Sequence, residues 1–240
     1  MGVKKPGVGY KFLDLITVFF VTVLIVSNIA SSAKIVDPGF SVFGIRLAFD
    51  GGTVLFPLAY VLGDILTEVY GFKAARRVIW TGFAALALSA LVFFVLRILP
   101  PEAGWETETG SAAYNSVLGG MSTGGIVLAS LLAYLAGEFS NSVVLSKVKV
   151  LMKGKFYWIR SVGSSVAGHL LDTLVFISAA TALGVFPREL FLSLVLTNYL
   201  IKMAVEIFVY PLNYAAVVFL KKKEGVDVYD VGVKYSPVGR

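Results

Sequence analysis

No cysteine occurs in this chain. Disulfides, thiolate metal sites and cysteine nucleophiles are therefore excluded, and the redox compartment is left open. A single histidine, His169, excludes a histidine-rich metal centre. Glutamine is absent too, which together with the missing cysteine suits a heat-adapted host. Charge is scarce: 15% of residues are charged and 57% are hydrophobic, whereas soluble domains carry roughly a quarter charged residues. Sequence motifs of catalysis are missing as well. There is no HExxH or phosphate loop, and the His169–Asp172 pair stands without a recognised nucleophile motif beside it. The chain does not read as an enzyme, and nothing in it calls for a cofactor or a metal.

What is present is hydrocarbon-compatible sequence, with a mean hydropathy of +0.82. Apolar residues come in runs of roughly 20, the length that crosses a hydrocarbon core of about 30 Å. Six such runs predict spans near 12–33, 53–70, 77–99, 124–145, 158–183 and 188–220. The first is too long for a signal-peptide core and lacks a clear cleavage site, so it reads as a retained helix. The fold class expected is an all-α integral membrane protein, with residues 1–220 as the transmembrane domain. Residues 221–240 form a polar, at most partly ordered cytoplasmic tail. Between spans one and two, Pro38-Gly39, Gly44 and Gly51-Gly52 break short apolar patches (Phe40, Val42, Ile45, Leu47, Phe49). That punctuation predicts an external hairpin or re-entrant segment. The stretch 100–122, Gly-rich and acidic at Glu102, Glu106 and Glu108, reads as a loop.

The net charge of +6 resembles a nucleic-acid footprint only until its distribution is examined. With the N-terminus cytoplasmic, the clusters Lys4–Lys11, Lys73–Arg77, Lys147–Arg160 and Lys221–Lys223 all fall inside. Only Lys34, Arg46, Arg97 and Arg188 fall outside. Basic residues thus sort onto alternate loops, as the positive-inside rule requires, and both termini are cytoplasmic. The cations serve topology and anionic lipid; direct nucleic-acid binding is not expected. The bilayer is one partner, and a homo-oligomer is left open.

Ionisable groups inside hydrocarbon cost about 2.5–3.5 kcal/mol each at a helix centre, so each is a candidate for function. Asp64 and Glu68 lie four residues apart on span two, Glu138 and Asn141 three apart on span four, and His169 and Asp172 three apart on span five. Asn198, Lys202 and Glu206 make one stripe on span six, and Asn28 sits near the outer end of span one. Each also has a plainer reading. Lys202 and Glu206 can neutralise each other, Glu68 can pair with Arg76 or Arg77, and Glu138 can pair with a loop lysine. Small residues at Ser27, Ala30, Ser31 and Ala33, and at Gly163, Ser164, Ala167 and Gly168, allow close helix packing. The acidic excess makes these carboxyls candidates for proton exchange. It also suits a substrate rich in N–H donors, or a cationic one, over an anion.

The run TVLFPLAYVLGDILTEVYGFKAARRVIW (Thr53–Trp80) resembles the signature of the queuosine precursor transporter family, also called the vitamin uptake transporter-like family. Three further blocks agree: SNIASSAK (Ser27–Lys34), WIRSVGSSVAGHLLDT (Trp158–Thr173) and KMAVEIFVYPLNY (Lys202–Tyr214). The resemblance implies a six-helix cell-membrane importer of 7-deazaguanine bases, precursors of queuosine (or, in archaea, archaeosine) in tRNA. It carries over Asn28, Asp64, Glu68, Asp172, Lys202 and Glu206 as a polar cavity. His169 stands where glutamine is expected, a departure that changes the donors and acceptors on offer. A guanine-like edge pairs N–H donors with a carboxylate or amide, and a flat base needs an apolar slot with aromatic walls. A substrate-binding subunit of a modular ATP-driven uptake system has the same size and helix number, so architecture alone leaves that alternative open.

Overall fold

The computed structural model describes residues 9–36, 39, 41–42, 45–46, 49–122, 124–184 and 188–238. The expected hairpin residues Pro38, Phe40, Gly44 and Leu47, and the basic Lys4 and Lys5, lie outside the described residues. Six helical stretches are long and apolar enough to cross a membrane. The helices are α1 (Leu13–Ala33), α2 (Phe56–Ile65), α3 (Phe72–Ile98), α4 (Ala103–Glu108), α5 (Gly110–Ser122), α6 (Gly124–Leu151), α7 (Tyr157–Ala182) and α8 (Phe191–Glu224). Between α1 and α2, two short antiparallel ladders pair Ile35 with Asp50 and Ser41 with Arg46, the hairpin that the glycine and proline punctuation predicts. Large apolar side chains such as Leu15, Val18, Leu88, Leu192 and Phe208 face outward. In water that would be an aggregation surface; in lipid it is the solvated face.

The second span is composite. A 3-10 turn (Gly51–Val54) leads into α2, where Pro57 occupies the first turn and loses no hydrogen bond. A π-helical turn (Leu66–Tyr70) then ends it, widening the backbone around Glu68. This span is the most enclosed of the six, 78% of it buried inside the protein. It is the central post of the bundle.

Close contacts are made where side chains are smallest. Gly137 of α6 faces Gly168 of α7: a β-carbon at Gly168 would meet Asn141 and Tyr60 at 2.9 Å, and one at Gly137 would meet Asp172 at 2.7 Å. Gly51 and Gly52 likewise press on the backbone of α1 beside Ser27, Ala30 and Ser31, as the small residues there suggest. Gly163, by contrast, has open space where a side chain would be and packs against nothing.

Three expectations need correction. Residues 110–122 form a helix, not a loop; it packs on α1 and α3 through Met121 and Ser122, both buried. Its glycines hid the pattern, because packing rather than intrinsic propensity stabilises it. The third span begins at Phe72, five residues before the sequence placed it. The last span runs on to Glu224, and the chain after it is not a loose tail. Residues 225–238 lie across the base of the bundle. Asp230 accepts from the Phe72 amide at 2.8 Å and from Ser146, the Arg76 guanidinium donates to the Ser236 carbonyl at 3.1 Å, and the Trp80 indole donates to the Pro237 carbonyl at 2.8 Å. Glu224 accepts from the amides of Lys11 and Phe12 at 3.0 and 2.7 Å, which brings both ends of the described chain to one end of the bundle.

Candidate functional site

In the half of the bundle away from the termini lies a cavity of ≈ 380 Å3. Its wall comes from α1, α2, α3, α5, α6, α7 and α8, and is mainly apolar: Leu24, Phe56, Leu86, Met121, Phe176 and Ile177 among others. Into it project Asn28, Tyr60, Ser130, Tyr134, Glu138, Asp172, Asn198 and Lys202. The volume lies within the range of about 300–1,000 Å3 usual for small-ligand sites, and few polar groups in an apolar wall is their usual composition.

The polar groups differ sharply in how far they are satisfied. Lys202 ion-pairs with Asp172 across the α7–α8 contact and lies 5.7 Å from the Phe56 ring centre. Lys202 therefore does not neutralise Glu206, the pairing that their spacing on one helix had suggested. Asn28 accepts from Ser130 at 3.0 Å and donates to the Leu24 carbonyl at 2.8 Å, and Asn198 donates to the Leu194 carbonyl at 2.9 Å. Tyr134 donates to the Ile79 carbonyl at 2.8 Å. Glu138 is the exception: it is 1% exposed, and neither carboxyl oxygen has a hydrogen-bond partner among the described residues. No loop lysine among the described residues reaches it. Gly63 lies directly against it, so that a β-carbon there would come within 2.7 Å of the carboxyl oxygen.

One helical turn further toward the termini, His169 and Glu206 meet in a hydrogen-bonded pair, and Ser165 donates to the other oxygen of Glu206. The His169 ring packs against Tyr60 at 4.1 Å between centres. Below that, Asp64 accepts from Asn141 at 2.8 Å and from Ser161. None of His169, Glu206, Asp64 or Glu68 forms part of the cavity wall.

At the terminus end, Glu68 is the hub of an ion-pair network. Arg160 holds it with two hydrogen bonds of 2.5 and 3.1 Å, Lys221 donates to it at 2.6 Å, and Lys149 stands 3.7 Å from it. Asp227 joins through Lys149 at 2.5 Å and Lys221 at 2.9 Å. Burial alone would push the Asp227 carboxyl up, but hydrogen bonds from Lys149 and Lys221 prevail and hold it below the ordinary carboxylate range. The expected partners of Glu68, Arg76 and Arg77, are not the ones it uses. Lys149 and Arg160, which the sequence placed among the loop cations, are each 1% exposed. Their positions in the last turn of α6 and the first turn of α7, on the side of the Glu68 end of α2, were the only signal that could have found them. The aromatic wall residues Tyr60, Tyr134, Phe56 and Phe176 were missed because aromatics are also the ordinary lipid-facing and interfacial residues of membrane helices.

A family profile described as "Putative vitamin uptake transporter" matches residues 50–216, from the start of the composite second span to the middle of α8. The chain belongs to the vitamin uptake transporter family. It is a multi-pass transporter of the cell membrane. Among its relatives, a protein of Bacillus subtilis named "Probable queuosine precursor transporter" is 28% identical over 69% of this chain and 70% of its own length. The "Queuosine precursor transporter" of Escherichia coli K12 is 23% identical over 96% of this chain and 97% of its own length. A Haemophilus influenzae relative, also named "Probable queuosine precursor transporter", is 26% identical over 71% and 70%. No solved structure matches the chain.

Proposed function

We propose that this transporter is a self-sufficient carrier. It brings queuosine precursor bases, 7-deazaguanines such as 7-cyano-7-deazaguanine and 7-aminomethyl-7-deazaguanine, into the cell for tRNA modification. The names of the relatives support the substrate class. The observation that carries the reading to residues is Glu138, a buried carboxyl with both oxygens unpartnered on the wall of a cavity with aromatic sides. A buried acceptor without a partner costs about 1–3 kcal/mol, and a ligand that supplies donors recovers it. The N1–H and exocyclic amine of a guanine-like base are two parallel donors, the pair a carboxylate accepts best. Tyr60, Tyr134, Phe56 and Phe176 supply flat apolar walls. Asn28, Asn198 and the Asp172–Lys202 pair are placed to meet the base's remaining polar edge.

In this reading the termini face the cytoplasm, residues 1–220 form the transmembrane domain, and 221–240 cap it on the inner side. The site includes Asn28, Glu138, Asp172, Asn198 and Lys202. Asp64, Glu68, His169 and Glu206 act below the base, not on it. The test is binding and uptake of 7-cyano-7-deazaguanine by the purified protein in liposomes. Saturable uptake by the protein alone is the expected result. Binding without any transport would assign the chain instead to a modular system that needs partner subunits, and no binding would overturn the substrate assignment.

A further inference from the structure

Three carboxyls deep in the bundle, Glu138, Glu206 and Asp64, have no lysine or arginine beside them among the described residues. Asp172 has Lys202, while Glu68 has Arg160 and shares Lys149 and Lys221 with Asp227. Water-free surroundings do not tolerate an uncompensated carboxylate, because moving one out of water costs several kcal/mol even after the protein relaxes. For Glu138 the proposed ligand supplies the compensation. For Glu206 the only basic group in contact among the described residues is the His169 imidazole.

That pair is buried, with His169 wholly enclosed and Glu206 3% exposed, and it sits one turn from the cavity residues Asp172 and Lys202. The other ring nitrogen, Nδ1, is buried without a partner among the described residues. A ring with one nitrogen on a carboxylate and the other free can take up and release a proton without breaking a structural hydrogen bond. On the side toward the termini, the groups continue in register. Ser161, Ser165 and His169 recur at four-residue steps along one face of α7, about 6 Å apart along the axis. Ser165 donates to Glu206 and Ser161 to Asp64. Asn213 of α8 also donates to Ser161, at 3.4 Å. Hydroxyls, imidazole and carboxyls therefore follow one another along this face of α7 toward the terminus side.

We propose that the His169–Glu206 pair is the coupling site of the carrier, taking one proton from the cavity side and passing it along the α7 ladder to Asp64 and the terminus side for each base moved. The inference rests on the carrier reading and adds its energy source. For 7-cyano-7-deazaguanine the balance is simple: the neutral base and one proton enter, the proton resting on the imidazole–carboxylate pair in one state and leaving toward the terminus side in the other. The groups that interact with the pair are Asp172 on α7, Tyr60 and Asp64 on α2, Glu138 on α6 and Lys202 on α8. Of these, the cation Lys202 is engaged by Asp172 and is not free to replace the proton.

The test uses the full chain in proteoliposomes with a trapped pH-sensitive dye and 7-cyano-7-deazaguanine as probe. An inward gradient of one pH unit, with the membrane potential clamped, raises the accumulation ratio of the base about tenfold at one proton per base. Addition of the base acidifies the lumen. Glu206→Gln keeps exchange of labelled for unlabelled base but loses both effects, and His169→Gln weakens them. Exchange that ignores the pH gradient, or follows a sodium gradient instead, overturns the coupling while leaving the substrate assignment intact. Should exchange itself be absent, the substrate assignment fails. The coupling is then decided on the ligand-free protein by infrared titration. A protonated-carboxyl band present in wild type and missing from Glu206→Gln supports the coupling, and no such difference overturns it.

Discussion

The two ends of the bundle use the same residue types to opposite effect. At the terminus end, each buried charge is met: Glu68 by Arg160, Lys149 and Lys221, and those cations again by Asp227 and backbone carbonyls. At the cavity end, Glu138 is equally buried and met by nothing among the described residues. A network that satisfies its members holds helices together, whereas an acceptor kept waiting destabilises the empty state and reserves that free energy for a ligand. The first half of the molecule is built as a seal and the second as a receptor, so carboxylate removal should act oppositely in the two places.

The largest effect is expected at the seal. Glu68→Ala leaves Arg160 buried without its counter-ion and Lys149 with Asp227 alone, and breaking such a buried pair costs about 3–5 kcal/mol. Thermal unfolding in detergent should show a large drop, and an unchanged melting temperature would remove the distinction between the two ends. Glu138→Ala should do the reverse. Stability is kept or raised, while binding of 7-cyano-7-deazaguanine weakens about 30- to 100-fold, from the roughly 2–3 kcal/mol of charge-assisted hydrogen bonds. Calorimetric binding on both variants gives the comparison directly.

A smaller effect tests how the tail is seated. Gly71 has φ +83°, and a β-carbon there would lie 2.6 Å from Val228 and 3.0 Å from Asp230. Gly71→Ala should cost about 1–3 kcal/mol of backbone strain, and should expose residues 225–238 to limited proteolysis. The smallest effect is acid sensitivity. Asp227 is held below its ordinary range, so what it contributes to stability is complete above that range and is lost as pH falls through the lowered folded value. Asp227→Asn should flatten that acid limb of the melting profile and leave neutral-pH transport intact.

Much of the fold was readable because hydrocarbon imposes length. Runs such as 12–33 and 77–99 have no other stable arrangement in a bilayer. Helix α5 was not readable, since Gly119 and Gly120 weaken any propensity signal and its partners lie on α1 and α3, far away in sequence. The candidate site residues Asn28, Glu138, Asp172, Asn198 and Lys202 were legible as costly polar groups, and the structure gathers them on one wall. Which carboxylate meets which cation was not legible. Helix spacing constrains neighbours on one helix only, so Lys202 was paired by arithmetic with Glu206 when its partner stands on α7. Lys149 and Arg160 fit the positive-inside count whether they point to water or inward, and that count cannot tell the two apart.

The seating of residues 225–238 has a consequence for biosynthesis. Lys221 and Asp227, which complete the charged base around Glu68, are translated only after all of the first five spans. The first five spans must therefore wait in the membrane with that base unfinished, its buried groups still open to water or to an insertion factor. The base closes only once residues 221–227 have been made, which makes that segment a checkpoint on assembly. A chain truncated at 220 would insert all six spans, yet present to quality-control proteases an unsealed base.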